Sequence, residues 1–486
     1  MKLTIPKASH RGILLLRSVK VSPVSFWPLG QKPKFCISPH LELQKDSSDL
    51  SKGAINRKLK PLKNILPFFV SLLLTLFSLG LHMSPFSDSM LNQNNTRVSN
   101  GYLTYTVNYH KELPAFSRRP LTTFLIESTS EFTGLPIGKS FILVNYLLFF
   151  GSGILLFILS MTVTRHYWHS VLNIVGYFLG FSILFAFFSP IYTYDEPLQY
   201  TLIFLGMWAY FKKKWTLYVV SFTFAAVARE TSLLLLPALL LFFNNGGMYA
   251  RNPAALNTFK RYLIILMPFA FYALYLGYFV STSSDIFIEQ GELLSRFSCF
   301  QENFGTTKNA VESLISLVLG LGLYLYLLWF VLKDNRLSVL HVKFIHSFLF
   351  VFVINSLVVM VLTFARETRL FALPLFFLWP LASTLFLKEL GILLSYKLYY
   401  PCFKKWPYFF LFLFLTFINY ILSFKIYQSY YDSNGDSHFF NEYLFVLLLG
   451  ISVHFLLRHF LYKNPSYTPL ITQLNISECN SFTTRT

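Results

Sequence analysis

Apolar runs separated by short polar stretches dominate the chain from residue 65 to residue 460. Many of these runs approach the roughly 20 residues that an α-helix needs to cross the hydrocarbon core of a bilayer. The pattern therefore predicts an all-α, polytopic transmembrane helical bundle with about 12 transmembrane helices. The predicted segments are 65–82, 140–162, 171–190, 197–211, 215–228, 232–243, 262–281, 312–332, 344–364, 370–387, 407–424 and 443–460.

The overall composition agrees with a membrane protein. Hydrophobic residues make up 54% of the 486 positions and charged residues only 13%. A soluble protein of this length is normally about a quarter charged. The composition therefore excludes a soluble enzyme, a secreted disulfide scaffold and a disordered chain.

The net charge of +19 predicts an orientation for the helices rather than a nucleic-acid partner. Residues 1–63 hold 13 basic residues against three acids, and we expect a disordered cytoplasmic tail there. If the helices alternate from a cytoplasmic N-terminus, the inner loops hold 17 basic residues against three acids. Positive loops stay in the cytoplasm. Both termini are then cytoplasmic, with a transmembrane domain over 64–461 and a second tail over 462–486.

The first extracytoplasmic loop, about 83–139, is the longest outer segment in this topology. The mildly apolar stretch Pro120–Phe132 within it predicts a helix along the membrane surface. Arg118 and Arg119 directly precede this stretch. A guanidinium group at that position can contact a lipid headgroup or bind a substrate phosphate.

The apolar segments 215–228 and 232–243 are too short for two ordinary crossings. A helix of about 14 residues reaches roughly 21 Å, against a hydrocarbon core of about 30 Å. The tip sequence Arg-Glu-Thr-Ser at 229–232 should therefore lie below the outer surface, where charged side chains line a polar cavity. The alternative is that Arg229 and Glu230 pair with each other and stabilise the turn. The Thr and Ser of this tip are natural N-caps for the next helix.

A short internal repeat contains this tip. Residues 228–237 read ARETSLLLLP and residues 365–374 read ARETRLFALP, with seven of ten positions identical. Both copies lie at the outer end of a predicted helix, where arginines can bind the phosphate of a lipid. The alternative is ordinary anchoring at the membrane interface. The predicted phosphate-binding arginines here are Arg229, Arg366 and Arg369, with Glu230 and Glu367 as supporting residues.

Three outer acids are candidates for a catalytic base. Asp88 follows the first predicted helix by about six residues, and Asp195 and Glu196 lie in the turn before the fourth. A carboxylate at the membrane surface can take a proton from an acceptor hydroxyl. The chain has no HExxH, P-loop or paired CxxC motif. No cofactor is firmly implied, and a divalent metal stays open.

The segments RRPLTTFLIE (118–127), YDEPLQYTLIF (194–204) and AVARETSLLLLP (226–237) carry a family resemblance. Together with the short first helix and the long first outer loop, they resemble bacterial members of the GT-C superfamily of membrane glycosyltransferases. The similarity covers about 65–245. Many members carry an acidic pair in the first outer loop, whereas this chain has Asp88 alone near the first helix.

This resemblance implies a GT-C-like fold in the bacterial inner membrane, with an active site on the extracytoplasmic side. It implies a polyprenyl-phosphate sugar donor whose phosphate is bound by Arg229 and Arg366. By the same resemblance Asp88 is the base, and Asp195 and Glu196 are supporting acids.

We therefore predict a glycosyltransferase that passes a sugar from a polyprenyl-phosphate-linked donor to a glycan, lipid or protein acceptor. Its other partners are membrane lipids, and nucleic acid is not among them. Alternatives are a secondary transporter, a polysaccharide polymerase or ligase of the cell envelope, and a non-enzymatic scaffold. A transporter would have midplane charges and broken helices in both halves. A polymerase or ligase would have its long outer loop late in the chain.

Overall fold

The computed structural model describes residues 65–78, 100–184, 194–242, 258–282, 296–333, 337–426 and 440–467. Within these ranges every regular element is helical and there is no strand, which confirms the all-α prediction. The predicted N-terminal tail, most of the C-terminal tail and Asp88 lie outside the described residues.

The described residues form helices that we number in chain order. Those of the first half are α1 (Ile65–Ser78), α2 (Asn100–Glu112), α3 (Pro114–Ser117), α4 (Pro120–Thr133), α5 (Ile137–Thr164), α6 (Tyr167–Phe178), α7 (Phe181–Leu184), α8 (Glu196–Phe211), α9 (Trp215–Ala228) and α10 (Glu230–Phe242). Those of the second half are α11 (Thr258–Thr282), α12 (296–304), α13 (Thr307–Val331), α14 (Val339–Leu362), α15 (Thr368–Phe377), α16 (Trp379–Leu394), α17 (Tyr396–Phe403), α18 (Trp406–Ile426) and α19 (Phe440–Lys463).

Helix length and composition mark the chain as a membrane protein. Among the described residues, 6 helices are long and apolar enough to cross a bilayer, namely α5, α11, α13, α14, α18 and α19. Helices α15 and α16, bent by 51° against each other, add a seventh if they form one span. The prediction of about 12 spans also counts short apolar segments, so it stays a prediction.

The two helices α10 and α15 are unusual because they contain long 3-10 stretches. Each begins within one copy of the repeat, with Pro237 and Pro374 at equivalent positions. Proline removes a backbone donor and favours a break in an α-helix. Both helices pack against α14, so the repeat places two discontinuous helices side by side.

The predicted caps at the start of α10 are wrong. The helix begins at Glu230, and no side chain caps its N-terminus. The Ser232 hydroxyl lies inside the first turn and donates to the carbonyls of Ala225 at 2.9 Å and Arg229 at 2.8 Å. The tighter 3-10 winding begins two residues earlier than the sequence suggests, which takes Ser232 out of the capping position.

Helix α4 coincides with the stretch predicted to be a surface helix. A proline occupies its first turn, and Gly134 ends it with a left-handed backbone at φ 69°. Both residues are typical of their positions, because proline fits the first helical turn and glycine the left-handed C-terminus. The helix itself is confirmed, and its place at the membrane surface stays a prediction.

The break between α15 and α16 is held by side chains of α6. Asn173 donates to the carbonyl of Pro380 at 2.7 Å and accepts from the backbone N–H of Ser383 at 2.7 Å. Both groups lose their helical partners at the break, so the amide satisfies them inside the bundle. Trp379 is fully buried beside them, with its ring 4.8 Å from that of Tyr177. The bend is thus a packed feature, and it fixes where α15 ends and α16 begins.

Candidate functional site

Glu230, the first residue of α10, forms hydrogen bonds with the two arginines that precede α4. Arg119 donates to both of its carboxylate oxygens, at 2.9 and 2.6 Å. Arg118 donates to the same group at 3.1 Å, and Arg296 of α12 lies 3.9 Å away. The bidentate contact is the geometry in which guanidinium groups bind carboxylates and phosphates.

Glu196, the first residue of α8, is the centre of a second arginine set. It accepts a hydrogen bond from Arg229 and forms an ion pair with Arg369, whose Nη1 lies 2.9 Å from its Oε1. The backbone N–H of Tyr194 also donates to it, at 3.0 Å. Its side chain is only 4% exposed, so the ionised carboxylate depends on these donors.

The mutual pair of Arg229 and Glu230 is not the arrangement that the structure shows. Arg229 contacts Glu196 of α8, whereas Glu230 contacts the two arginines between α3 and α4. Both residues line a cavity, as the other interpretation of the tip predicts.

The two copies of the repeat meet through Arg229 of the first and Arg369 of the second. Arg369 also donates to Glu367, at 2.8 and 3.1 Å. The residue that aligns with Arg229 is Arg366, but it lies 3.8 Å from Glu312, is half-exposed and does not line the cavity. Alignment of the repeat therefore does not show which arginines meet, because α10 starts one residue after its Arg and α15 starts two residues after its own.

A cavity of about 320 Å³ lies between these two arginine sets and α14. One part of its wall is charged and another is aliphatic, which suits an amphiphilic ligand. Its charged lining is Arg119, Glu196, Arg229, Glu230, Arg296 and Arg369. Its apolar lining is Phe297, Val358, Val359, Leu362, Leu370 and Leu373.

Asp195 lies behind the charged wall, directly before α8. It is 2% exposed, and its Oδ2 is 4.0 Å from Nη1 of Arg119. Its Oδ1 has no hydrogen-bond partner among the described residues. Burial raises the pKa of this carboxyl to about 6, although Arg119 opposes the shift. A carboxylate with such a pKa can accept a proton near neutral pH.

An aromatic stack between α2 and the residue before Asp195 lies next to the site. The ring of His110 stacks on that of Tyr194 with 3.7 Å between centroids. The Tyr194 hydroxyl and that of Thr123 are 2.9 Å apart. Burial, and then the charges of Arg119, Arg369 and Arg229, lower the pKa of His110 to about 3. This histidine is therefore neutral at physiological pH and adds no positive charge.

Several lining residues were not singled out from the sequence, and three of them are polar or charged side chains of interest. Arg296 comes from the second outer segment, Gln199 lies one turn after Glu196, and Asn355 interrupts the apolar run of α14. The sequence held a signal for two of them. Gln199 shares a helix face with Glu196, and Asn355 is a polar residue in a predicted span. Asn355 donates to the carbonyl of Leu370 at 2.9 Å, and its Oδ1 has no partner within the described ranges.

The geometry brings together most of the residues that the sequence singled out. These are Arg118, Arg119, Asp195, Glu196, Arg229, Glu230, Glu367 and Arg369. In the described part of the chain, no group of three or more His, Cys, Asp and Glu side chains could hold a metal ion. The arrangement can bind an anion beside an apolar surface and can accept a proton nearby.

Comparison with known proteins finds no relative for this chain. No protein-family model matches it, and neither does any curated protein or solved structure.

Proposed function

We propose that the chain is a membrane glycosyltransferase that uses a polyprenyl-phosphate-linked sugar as its donor. The observation that carries this proposal is the cavity with arginines on one wall and aliphatic side chains on another. A lipid phosphate needs both surfaces, because its tail seeks apolar side chains and its head needs buried cations. The predicted topology of about 12 spans with cytoplasmic termini would place this cavity toward the outside of a bacterial inner membrane.

The arginines would stabilise the leaving phosphate. In the transfer, the acceptor hydroxyl oxygen attacks C1 of the sugar, and the bond from C1 to the phosphate oxygen breaks. That oxygen keeps the electron pair, and the added negative charge develops beside Arg229 and Arg369. Preorganised cations at a developing charge are the most effective electrostatic contribution to such a step.

A carboxylate would receive the proton of the acceptor hydroxyl. Two candidates stand: Asp88, which the sequence favours, and Asp195, which lies beside the arginine sets with one oxygen unpartnered in the described part of the chain. Direct attack gives inversion at C1, whereas prior attack by a carboxylate gives retention.

The decisive experiment measures free polyprenyl phosphate by mass spectrometry. The protein is reconstituted in nanodiscs with a panel of polyprenyl-phosphate sugars and cell-envelope acceptors. We expect release from at least one donor, a loss of at least about 100-fold in Arg229→Ala, as for removal of one oxyanion-stabilising donor, and near wild-type release in Arg366→Ala. The comparison of Asp88→Asn with Asp195→Asn identifies the base. No release from any donor would overturn the proposal.

One observation favours a secondary transporter as the second candidate. The broken helices α10 and α15 come from the two copies of the repeat, and both begin at the arginine sets. Transporters bind anionic groups at the N-termini of such discontinuous helices. Uptake of a labelled anion into proteoliposomes, with no cleavage of any lipid-linked sugar, would favour this candidate over the transferase.

A further inference from the structure

Two uncharged amide side chains, Asn355 of α14 and Gln199 of α8, line the cavity together with the charged and aliphatic residues. We call these two residues the amide pair. Both are buried, at 1% and 2% exposed. A buried polar atom without a hydrogen-bond partner is costly, so the bonds that each amide already makes decide what a ligand can add.

The nitrogen end of each amide is bonded to the protein. Nδ2 of Asn355 donates to the carbonyl of Leu370 at 2.9 Å. Nε2 of Gln199 donates to the hydroxyls of Thr231 at 3.1 Å and Ser232 at 2.9 Å, which uses both of its protons. These bonds fix the orientation of both amides. The group that each can then present to a ligand is its carbonyl oxygen.

Other buried asparagines of the bundle show why the oxygen of Asn355 is informative. Asn173 uses both ends of its amide at the break between α15 and α16. Asn303 of α12 donates to two backbone carbonyls and accepts from the backbone N–H of Ala365 at 3.0 Å. Asn145 has an oxygen without a partner among the described residues, as Asn355 does, but it does not line the cavity. An open acceptor beside space distinguishes Asn355 from these three.

The carbonyl oxygens of the amide pair need hydrogen-bond donors, and one part of the proposed substrate has them. An ionised phosphate diester offers only acceptors, and a polyprenyl tail offers neither donors nor acceptors. The hydroxyl groups of a sugar donate as well as accept. The amide pair therefore matches the sugar rather than the lipid phosphate.

The amide pair also lies close to the arginine set around Glu196. Gln199 is three residues after Glu196 on α8, which is about 4.5 Å along the helix. Leu370, whose carbonyl accepts from Asn355, directly follows Arg369. A glycosyl phosphate has its sugar directly on the phosphate, so a phosphate beside Arg369 brings the sugar hydroxyls toward the amide pair.

We propose that the amide pair binds the sugar of the donor, with the carbonyl oxygens of Asn355 and Gln199 accepting hydrogen bonds from its hydroxyl groups. This inference rests on the proposed function and extends it from the lipid phosphate to the choice of sugar. A site built around a hydroxyl rejects an analogue that lacks it, because the buried acceptor is then left unpaired.

The test is binding by native mass spectrometry of the full chain in nanodiscs. It compares a panel of polyprenyl-phosphate hexoses and pentoses with sugar-free polyprenyl phosphate of the same chain length. We expect at least one sugar-bearing lipid to bind at least about tenfold tighter than the sugar-free lipid, as expected when a hydroxyl supplies the partner of a buried acceptor.

Variants assign this preference to the amide pair. Asn355→Leu and Gln199→Met keep the approximate size of the side chain and remove its carbonyl oxygen, so each should reduce the preference toward unity while the sugar-free lipid still binds. The matched control is Asn173→Leu, which removes a buried amide outside the cavity and should keep the wild-type preference per folded molecule.

Deoxygenated sugars test the same bonds without any change in the protein. Among the single-deoxy forms of the preferred sugar, at least one should lose most of the preference in the wild type. That form should lose little more in Asn355→Leu or in Gln199→Met, because the hydroxyl and the amide oxygen contribute to one bond and their removals are not additive.

The outcomes separate this inference from the proposed function. Equal binding of sugar-bearing and sugar-free lipids in the wild type would overturn the inference, and release of polyprenyl phosphate would still support a transferase. A preference that persists in both variants, or in every deoxy form, would overturn the assignment to the amide pair. Failure of all these lipids to bind would overturn the inference together with the proposed function.

Discussion

Within the part of the chain that the structure describes, the arginine sets and a cluster around Glu389 both bury charge, but only the arginine sets line the described cavity. Helix α13 connects the two regions. In its first half, the Ser316 hydroxyl donates to the carbonyl of Arg366 at 2.7 Å. About 15 Å further along the helix, the Tyr326 hydroxyl lies 2.9 Å from Nδ1 of His454. The arginine sets lie toward the first end, and a cluster around Glu389 lies toward the second.

The Glu389 cluster is closed. Glu389 of α16 pairs with His454 at 3.1 Å and with Arg458, both from α19. The Arg458 guanidinium also lies 4.2 Å from the ring centroid of Phe330. One acid here faces one arginine and one histidine, and none of them lines the cavity described above.

A ligand site differs from a buried ion pair in what surrounds its charges. Both clusters are costly in an apolar bundle unless every charge has a partner. The Glu389 cluster meets that condition within the protein. The cavity has four arginines and two glutamates in its lining, a polar oxygen without a partner on Asn355 among the described residues, and an adjacent apolar wall. Charged groups beside open space, rather than burial of charge alone, indicate a ligand site.

Removal of the acid from the closed cluster should have the largest effect on stability. Glu389→Ala leaves Arg458 and His454 without their shared partner inside the bundle, so we expect a loss of about 3–5 kcal/mol in the free energy of unfolding. Thermal unfolding in nanodiscs measures it. The control is Glu127→Ala, whose pair with Lys111 at 2.7 Å is exposed to solvent, so its loss should change the free energy of unfolding far less. Equal losses in the two variants would contradict the account.

The second prediction concerns pH and Asp195. The folded-state pKa of about 6 lies above the usual value of 3.8, so the folded protein holds this proton more tightly than the unfolded chain. Stability from this group is present below pH 4 and is lost as pH rises through 6, by up to about 3 kcal/mol. Asp195→Asn cannot ionise, so its stability relative to wild type should increase between pH 4 and pH 7.

The comparison with the Asn variant removes other titrations near the site. His110 has the opposite dependence, because its lowered pKa makes stability fall as pH falls from about 6.5 toward 3. This contribution is common to both proteins and cancels in their difference. Unfolding curves that stay parallel over the whole range would show that Asp195 does not titrate in this way.

The sequence predicted much of the charged site because charge is rare in this chain. Five of the charged residues of the site stand at the ends of apolar runs, namely Arg119, Asp195, Glu196, Arg229 and Glu230. Charges confined to helix ends in a bilayer protein tend to face one another, since lipid offers them no partner. Their convergence around one cavity follows from that constraint.

What the sequence could not predict depends on exact helix starts and distant packing. The choice of Arg369 over Arg366 follows from where α15 begins. For the Glu389 cluster, the sequence offers one clue. His454 and Arg458 are four residues apart and therefore share a helix face. Sequence alone also does not fix the number of spans. Helices such as α9 and α10 are apolar but shorter than a full crossing.

The most direct test of the central claim is binding of a polyprenyl monophosphate, which needs neither the sugar nor the acceptor to be known. Native mass spectrometry would compare the wild type with Arg229→Ala, Arg369→Ala, Arg366→Ala and Glu389→Gln. We predict one bound lipid in the wild type, at least about tenfold weaker binding in the first two variants, and unchanged binding per folded molecule in the last two. Equal weakening in all four variants, or in none, would contradict the assignment of the cavity as a lipid-phosphate site.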